Sequence, residues 1–377
     1  MTQSPGLLMT LLSFVLVIGP LVFVHELGHY FVGRWFGVKA EVFSIGFGRE
    51  LFGWTDKRGT RWKIAALPLG GYVRFKGDMN AASQPSDEWL SLSPQERAET
   101  FQARTLWQRF LIVLAGPVTN FLFAILIYIG VFAAFGEART PPVVAGIAPG
   151  SAAHAAGFQP GDRIERIGGQ AMERFEDIAT YVRIRPDQTL SFDIVRDGTP
   201  LTIEATPKTQ VVRDTFGNEA RMGLLGIAPG ERIVVPLAPH QWVSAAVGQT
   251  VETVQMMITT LGQVVTGDRS MKEMGGPLKI AQYSGQQASL GFIDFVWFMS
   301  LISINLGFIN LLPIPMLDGG HLLFYAIEGI RRRPLKPEAQ EWAFRTGLAA
   351  LLALMIFVTM NDLASFGLWS RLGSLIG

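Results

Sequence analysis

No charged residue occurs between Met1 and Val24, and this run leads straight into His25-Glu26-Leu27-Gly28-His29. The pairing constrains the chain more than any other feature. An apolar run of about 20 residues is long enough to cross a bilayer. Residues four apart share one face of a helix, so His25 and His29 can hold one metal ion. Glu26 lies beside that face, where it can take a proton from a water that the metal activates. Histidines and a carboxylate inside a membrane-length helix are costly, so by default they are read as functional. The run has no basic start and is too long for a cleavable signal peptide.

Three further stretches extend the pattern: Phe110 to Phe135, Phe295 to Leu317, and about Ala343 to Met360, with the first span at Leu7 to about Phe31. Together with 49% hydrophobic residues they predict a mainly α-helical polytopic membrane protein with four transmembrane helices. Twelve Lys and Arg lie between Arg34 and Arg109, and Arg331, Arg332, Arg333, Lys336 and Arg345 follow the third span. Met1 to Val24 has none, so the positive-inside rule puts both basic loops in the cytoplasm and both termini outside. A net charge of +1 without a broad basic field argues against nucleic acid as a partner.

The chain divides on this reading into 1–136, 137–236, 237–294 and 295–377. In the first part, Arg61 to Leu67 and Tyr72 to Lys76 flank Pro68-Leu69-Gly70-Gly71, a turn sequence that predicts a cytoplasmic, membrane-associated β-hairpin. An earlier strand is expected at Val42 to Phe47, and Asn80 to Thr100 reads as polar and solvated. In the second part, Val143 to Ile164 reads as a strand, a short helix and a Gly161-Asp162 turn into the next strand. This resembles the opening of a PDZ domain. Strands at Thr189 to Arg196 and Leu201 to Thr206 and a helix at Phe175 to Ile184 place one β-rich PDZ insertion at about 143–207. Leu237 to Val265 reads as an amphipathic helix.

A catalytic zinc takes three protein ligands and keeps a fourth position open. The chain has no cysteine, so the third ligand is His, Asp or Glu. Asp318 is the best candidate. It ends the third apolar run, at the cytoplasmic depth where the basic residues also place His25 and His29. Glu328 and Asp362 are weaker competitors, and His154, His240 and His321 look incidental, the Gly319-Gly320 link reading as a turn that need not aim His321 at the metal.

The first motif together with Asn310-Leu311-Leu312-Pro313-Ile314-Pro315-Met316-Leu317-Asp318-Gly319 resembles the site-2 protease family of intramembrane zinc metalloproteases. One outer PDZ domain and four spans look like its bacterial regulator of sigma-E protease group, whose Escherichia-type members carry two tandem PDZ domains. The resemblance implies Zn2+ on His25, His29 and Asp318, and Glu26 as the catalytic base. It implies a bacterial inner-membrane enzyme that cuts single-span membrane proteins, such as anti-sigma factors or remnant signal peptides, within the lipid bilayer. Asn305, Asn310, Pro313, Pro315, Gly70, Gly71 and Tyr72 become candidates for substrate binding, and the PDZ domain for a peptide ligand or a size filter. Gly116 and Asn120 match the family's Gly-x-x-x-Asn pattern, where small Gly116 permits close helix packing and Asn120 can join helices. The rival enzyme is a prenyl-protein-type membrane zinc protease with a Glu as third ligand. The rival from another class is a catalytically inactive PDZ-bearing membrane scaffold.

Overall fold

The computed structural model describes residues 6–78, 92–213, 219–267 and 275–365. In chain order it begins with α1 (Leu7–Trp35), β1 (Ala40–Thr55), β2 (Arg61–Phe75), α2 (Pro94–Arg97) and α3 (Leu106–Phe135). Then come β3 (Glu137–Arg139), β4 (Val144–Ile147), α4 (Ala152–Ala156), β5 (Arg163–Ile167), β6 (Gln170–Ala171), α5 (Phe175–Arg183), β7 (Leu190–Arg196) and β8 (Thr199–Ala205). The strands end with β9 (Lys208–Arg213), β10 (Glu219–Leu224), β11 (Ile227–Pro229) and β12 (Ile233–Val235). Helices α6 (Trp242–Thr266), α7 (Pro277–Leu290), α8 (Phe292–Asn310), α9 (Asp318–Arg331) and α10 (Pro337–Ser365) complete it. The polar stretch expected from Asn80 lies outside the described residues up to 91.

Helices α1, α3, α8 and α10 are long and apolar enough to cross a membrane. Their ends differ from those expected. The third stops at Asn310 rather than Leu317, although no charge interrupts the run. Pro313 and Pro315 have no N–H to continue a helix, and Met316 adopts a left-handed backbone with φ 87°. The chain therefore breaks, and α9 starts afresh at Asp318. The fourth helix is longer than expected, spanning Pro337–Ser365.

The residues fall into two compact units. One comprises Met1–Val131, Ala246–Gly262 and Arg269–Gly377, the other Phe132–Ala245 and Gln263–Asp268. In the first unit, glycines let helix backbones approach. A Cβ on Gly28 would overlap the Ala115 carbonyl of α3, and one on Gly307 of α8 would lie 3.0 Å from the Pro117 carbonyl. Tyr30, Phe43, Phe75, Phe101 and Ile112 join α1, the sheet and α3 in one buried cluster.

The expected hairpin across Pro68 to Gly71 does not form. Residues 71–75 pair with 40–45 of β1, as in Phe43↔Val73 and Ile45↔Gly71, while 61–64 lie along the other side, as in Phe43↔Trp62 and Ile45↔Ile64. The first half of β1 thus separates the two segments that the turn sequence seemed to join. The hairpin that does form runs between the second half of β1 and the start of β2, with Trp54↔Trp62 and Thr55↔Arg61 opposed. Its turn is stabilised by Asp56, which accepts from the N–H groups of Arg58 and Thr60, each at 2.9 Å. This side-chain-to-backbone turn outcompetes the local Pro-Gly signal.

The second unit is built on a four-stranded sheet of order β6-β5-β7-β8. Alternate residues of β7, Leu190, Phe192 and Ile194, are buried, as the two-residue period of a strand requires. Ile178 and Val182 of α5 join them in the core, with Ile164 and Ile167 of β5. The strand, short helix and turn expected around 143–164 are β4, α4 and the Gly161-Asp162 turn into β5. The core continues beyond the expected boundary at 207: Leu225 belongs to it, and β11 pairs with β4. A strand that closes onto the first one cannot be seen by reading forward along the chain.

Candidate metal centre

Helix α1 carries His25 and His29 one turn apart, with the His25 and Glu26 residues 8% and 7% exposed. Helix α3 crosses α1 here because Gly28 and Gly116 have no side chains. A Cβ on Gly116 would overlap Nε2 of His29 and lie 2.9 Å from Cε1 of His25. Thr119 fastens the crossing, donating to the Val24 carbonyl at 3.0 Å.

Asp318 arrives from the first turn of α9. The Gly319-Gly320 pair is helical, not a turn. A Cβ on Gly320 would lie 2.5 Å from the Ile314 carbonyl and 2.8 Å from Cα of Pro315. Two glycines therefore let the 311–317 connection fold back over the start of α9. Leu317 occupies the N-cap position, so Asp318 is the first residue of the helix rather than its cap.

Three donor atoms converge. Nε2 of His25 and Nε2 of His29 lie 3.2 Å and 3.5 Å from Oδ2 of Asp318. The two Nε2 atoms are 3.2 Å apart. Oδ2 is buried without a well-aligned hydrogen bond. A tetrahedral zinc with bonds of about 2.0–2.1 Å spaces its ligand atoms by about 3.3 Å, so this triangle fits zinc by its own dimensions. Among the described residues, this trio is the group of His, Asp and Glu side chains placed to hold a metal. Nδ1 of His29 lies 2.9 Å from the Ile112 carbonyl. A carbonyl only accepts, so Nδ1 carries the proton and Nε2 presents its lone pair to the triangle.

Glu26 sits off the histidine face, under the strand segment 71–75. Val73 and Glu26 line one cavity, and a Cβ on Gly71 would lie 2.9 Å from Cγ of Glu26. The other side of residues 71–75, away from β1, pairs with no strand among the described residues. A cavity of about 480 Å³ joins His25, Glu26, His29 and Asp318 to Gly70, Gly71, Tyr72 and Asn310. Asn305, Pro313 and Pro315 are not among its lining. Pro315 instead packs on α10, where a Cβ on Gly347 would lie 2.6 Å from its carbonyl.

His321 and Tyr325 also line the cavity. Three and seven residues beyond Asp318, they share its helix face, and that spacing marks His321, incidental by motif alone, as a neighbour of the site. The competing carboxylates are used elsewhere. Asp362 accepts from the Gly276 and Lys279 N–H groups at 3.1 and 3.2 Å, at the start of α7. Glu328 accepts from the Leu335 N–H at 3.0 Å and faces Arg109 at 3.6 Å.

The sequence matches the model of the family described as peptidase family M50 over residues 13–354. It is 45% identical over 360 residues to a protein of Agrobacterium fabrum provisionally named a zinc metalloprotease, covering 94% of this chain and 96% of that one. It is 38% identical over 398 residues to the metalloprotease MmpA of Caulobacter vibrioides, covering 98% and 99%. Among solved structures, the PDZ domain of an SdrC-like protein from Listeria monocytogenes aligns with 24% of this chain and 88% of its own, at 16% identity and a TM-score of 0.19.

Proposed function

Because the chain belongs to peptidase family M50, we propose that it is a zinc endopeptidase that cleaves transmembrane segments of single-span membrane proteins. The observation that carries this reading is the triangle of His25, His29 and Asp318, beside Glu26 and a strand edge that pairs with no strand among the described residues. His25, His29 and Asp318 would hold the zinc, whose Lewis acidity would activate a water near neutral pH and polarise the scissile carbonyl. Glu26 takes the proton from the attacking water and returns it to the leaving amine.

A transmembrane helix hides its carbonyls in its own hydrogen bonds, so the substrate must unwind locally before cleavage. Residues 71–75 offer an edge on which the unwound stretch can add as a strand. Gly70, Gly71, Tyr72 and Asn310 are then the residues that touch it, while Asn305, Pro313 and Pro315 shape the helices around it. Leu51 and Phe52, 68% and 62% exposed on β1, suit a sheet that dips into lipid. The basic loops favour a site toward the cytoplasm of a bacterial inner membrane, with both termini outside. The second unit is read as a PDZ domain that extends to Pro229 and either takes a peptide or screens substrates by size. Anti-sigma factors and remnant signal peptides, already trimmed outside, are the substrate class.

The test separates metal from chemistry. Glu26→Gln should keep about one zinc per chain and lose cleavage of a model transmembrane substrate, while His25→Ala should lose the zinc. Undiminished cleavage by Glu26→Gln would sink the mechanism.

A further inference from the structure

We infer that Asn120 is a positioning residue that sets which nitrogen of His25 carries the proton, and so makes His25 a ligand. The inference rests on the zinc reading above. His29 has its tautomer fixed by a backbone carbonyl, which can only accept. His25 has no such partner. Its Nδ1 lies 3.1 Å from Nδ2 of the Asn120 carboxamide, and the two ends of an amide are so alike in shape that either the donor or the acceptor end can face it.

The choice matters because Nε2 of His25 points into the triangle. If Asn120 donates through Nδ2, Nδ1 is the acceptor and the proton sits on Nε2, which then cannot bind a metal. If Asn120 turns its carboxamide by half a rotation, Oδ1 accepts from Nδ1–H and Nε2 offers its lone pair. Asn120 is fully buried, and its Oδ1 has no hydrogen-bond partner. That oxygen is therefore available for the second arrangement, the one the metal requires. Outer partners of this kind fix ring orientation and raise ligand basicity.

The backbone that carries Asn120 is also held in place. Ser303 of α8 donates to the Asn120 carbonyl at 2.8 Å, and the neighbouring Thr119 ties α3 to α1. Asn120 thus stands where three spans are joined, one turn along α3 from Gly116.

The test uses the full chain in detergent and reads zinc affinity by chelator competition and the visible spectrum of the cobalt-substituted protein. Asn120→Leu removes the acceptor at similar size and should weaken zinc affinity by about 10–100-fold. Asn120→Asp keeps an acceptor and cannot donate, so it should hold zinc and the cobalt spectrum close to wild type. Wild-type affinity in Asn120→Leu would overturn the inference. So would an Asn120→Asp variant that loses zinc while keeping its helical circular dichroism, since an acceptor at Nδ1 would then not be what makes His25 a ligand. His25→Ala is the control: if it binds zinc as tightly as wild type, the metal site itself is misread, a failure distinct from either outcome at Asn120.

Discussion

Gly116 shows how little room the site leaves. Any side chain there would enter the space of both imidazoles. Gly116→Ala is expected to push His29 off its position, lowering zinc content and cutting cleavage by about 100-fold, the scale of a 1 Å misplacement. Gly71 makes a contrasting case on the other side of Glu26. Gly71→Ala would crowd the Ser44 carbonyl and Cγ1 of Val22 at 2.7 Å and Cγ of Glu26 at 2.9 Å, with neither histidine among these nearest atoms. Cleavage should fall while zinc content, measured by elemental analysis, stays at wild type. Equal zinc loss in both variants would refute this division. The four residues proposed for the chemistry were legible in the sequence, because spacing put two histidines on one face and basic residues put Asp318 at their depth. Asn120 was legible only as a match to a pattern. Which side of α3 it faces depends on how α3 crosses α1, and the sequence does not state a crossing.

Elements were legible where one local signal dominates and failed where two compete. Charge-free runs located all four spans. The absence of charge then hid the break after Asn310, because hydropathy does not register the missing N–H groups of Pro313 and Pro315. The Pro68 to Gly71 turn was a sound local signal overridden by pairing with β1, some 30 residues earlier in the chain. In the second unit, the Gly161-Asp162 turn carries its own stabiliser. Burial would raise the Asp162 carboxyl, but Arg196, with Nε at 2.7 Å and Nη2 at 2.8 Å, and the Gln159 N–H hold it below the usual carboxylate value. A value lowered by folding stabilises the fold above the ordinary carboxylate range, and that stability is lost as pH falls through the lowered value. Arg196→Ala leaves burial opposed mainly by the Gln159 N–H, so the loss should begin at higher pH. Acid unfolding of the isolated 132–245 segment, followed by circular dichroism, should show a midpoint shifted upward; an unmoved midpoint would remove Asp162 from the account.

At the scale of the whole molecule, the second unit is an insertion whose two ends are paired. β3 and β12 run antiparallel with Arg139 opposite Ile233 and Val235 opposite Glu137. Residues facing each other in such a ladder are about 5 Å apart at Cα, a gap that a two-residue Asn-Gly turn closes. Residues 140–232 can therefore be replaced by Asn-Gly with little demand on the helices, because the core of this unit is built from its own strands with α4 and α5. The three candidate ligands sit on α1 and α9, outside the replaced residues, so the shortened protein is expected to bind about one zinc per chain. Its selectivity then reports what the insertion does. If it screens by size, the shortened enzyme should cleave substrates that still carry a bulky outer domain, which the full chain rejects, and should cut trimmed substrates at the old rate. If it recruits by peptide binding, trimmed substrates should be cut more slowly and bulky ones should stay intact. Unchanged selectivity and rate for both substrates would deny the insertion either role. Loss of zinc would show that the membrane part depends on the insertion in a way the paired ends do not predict.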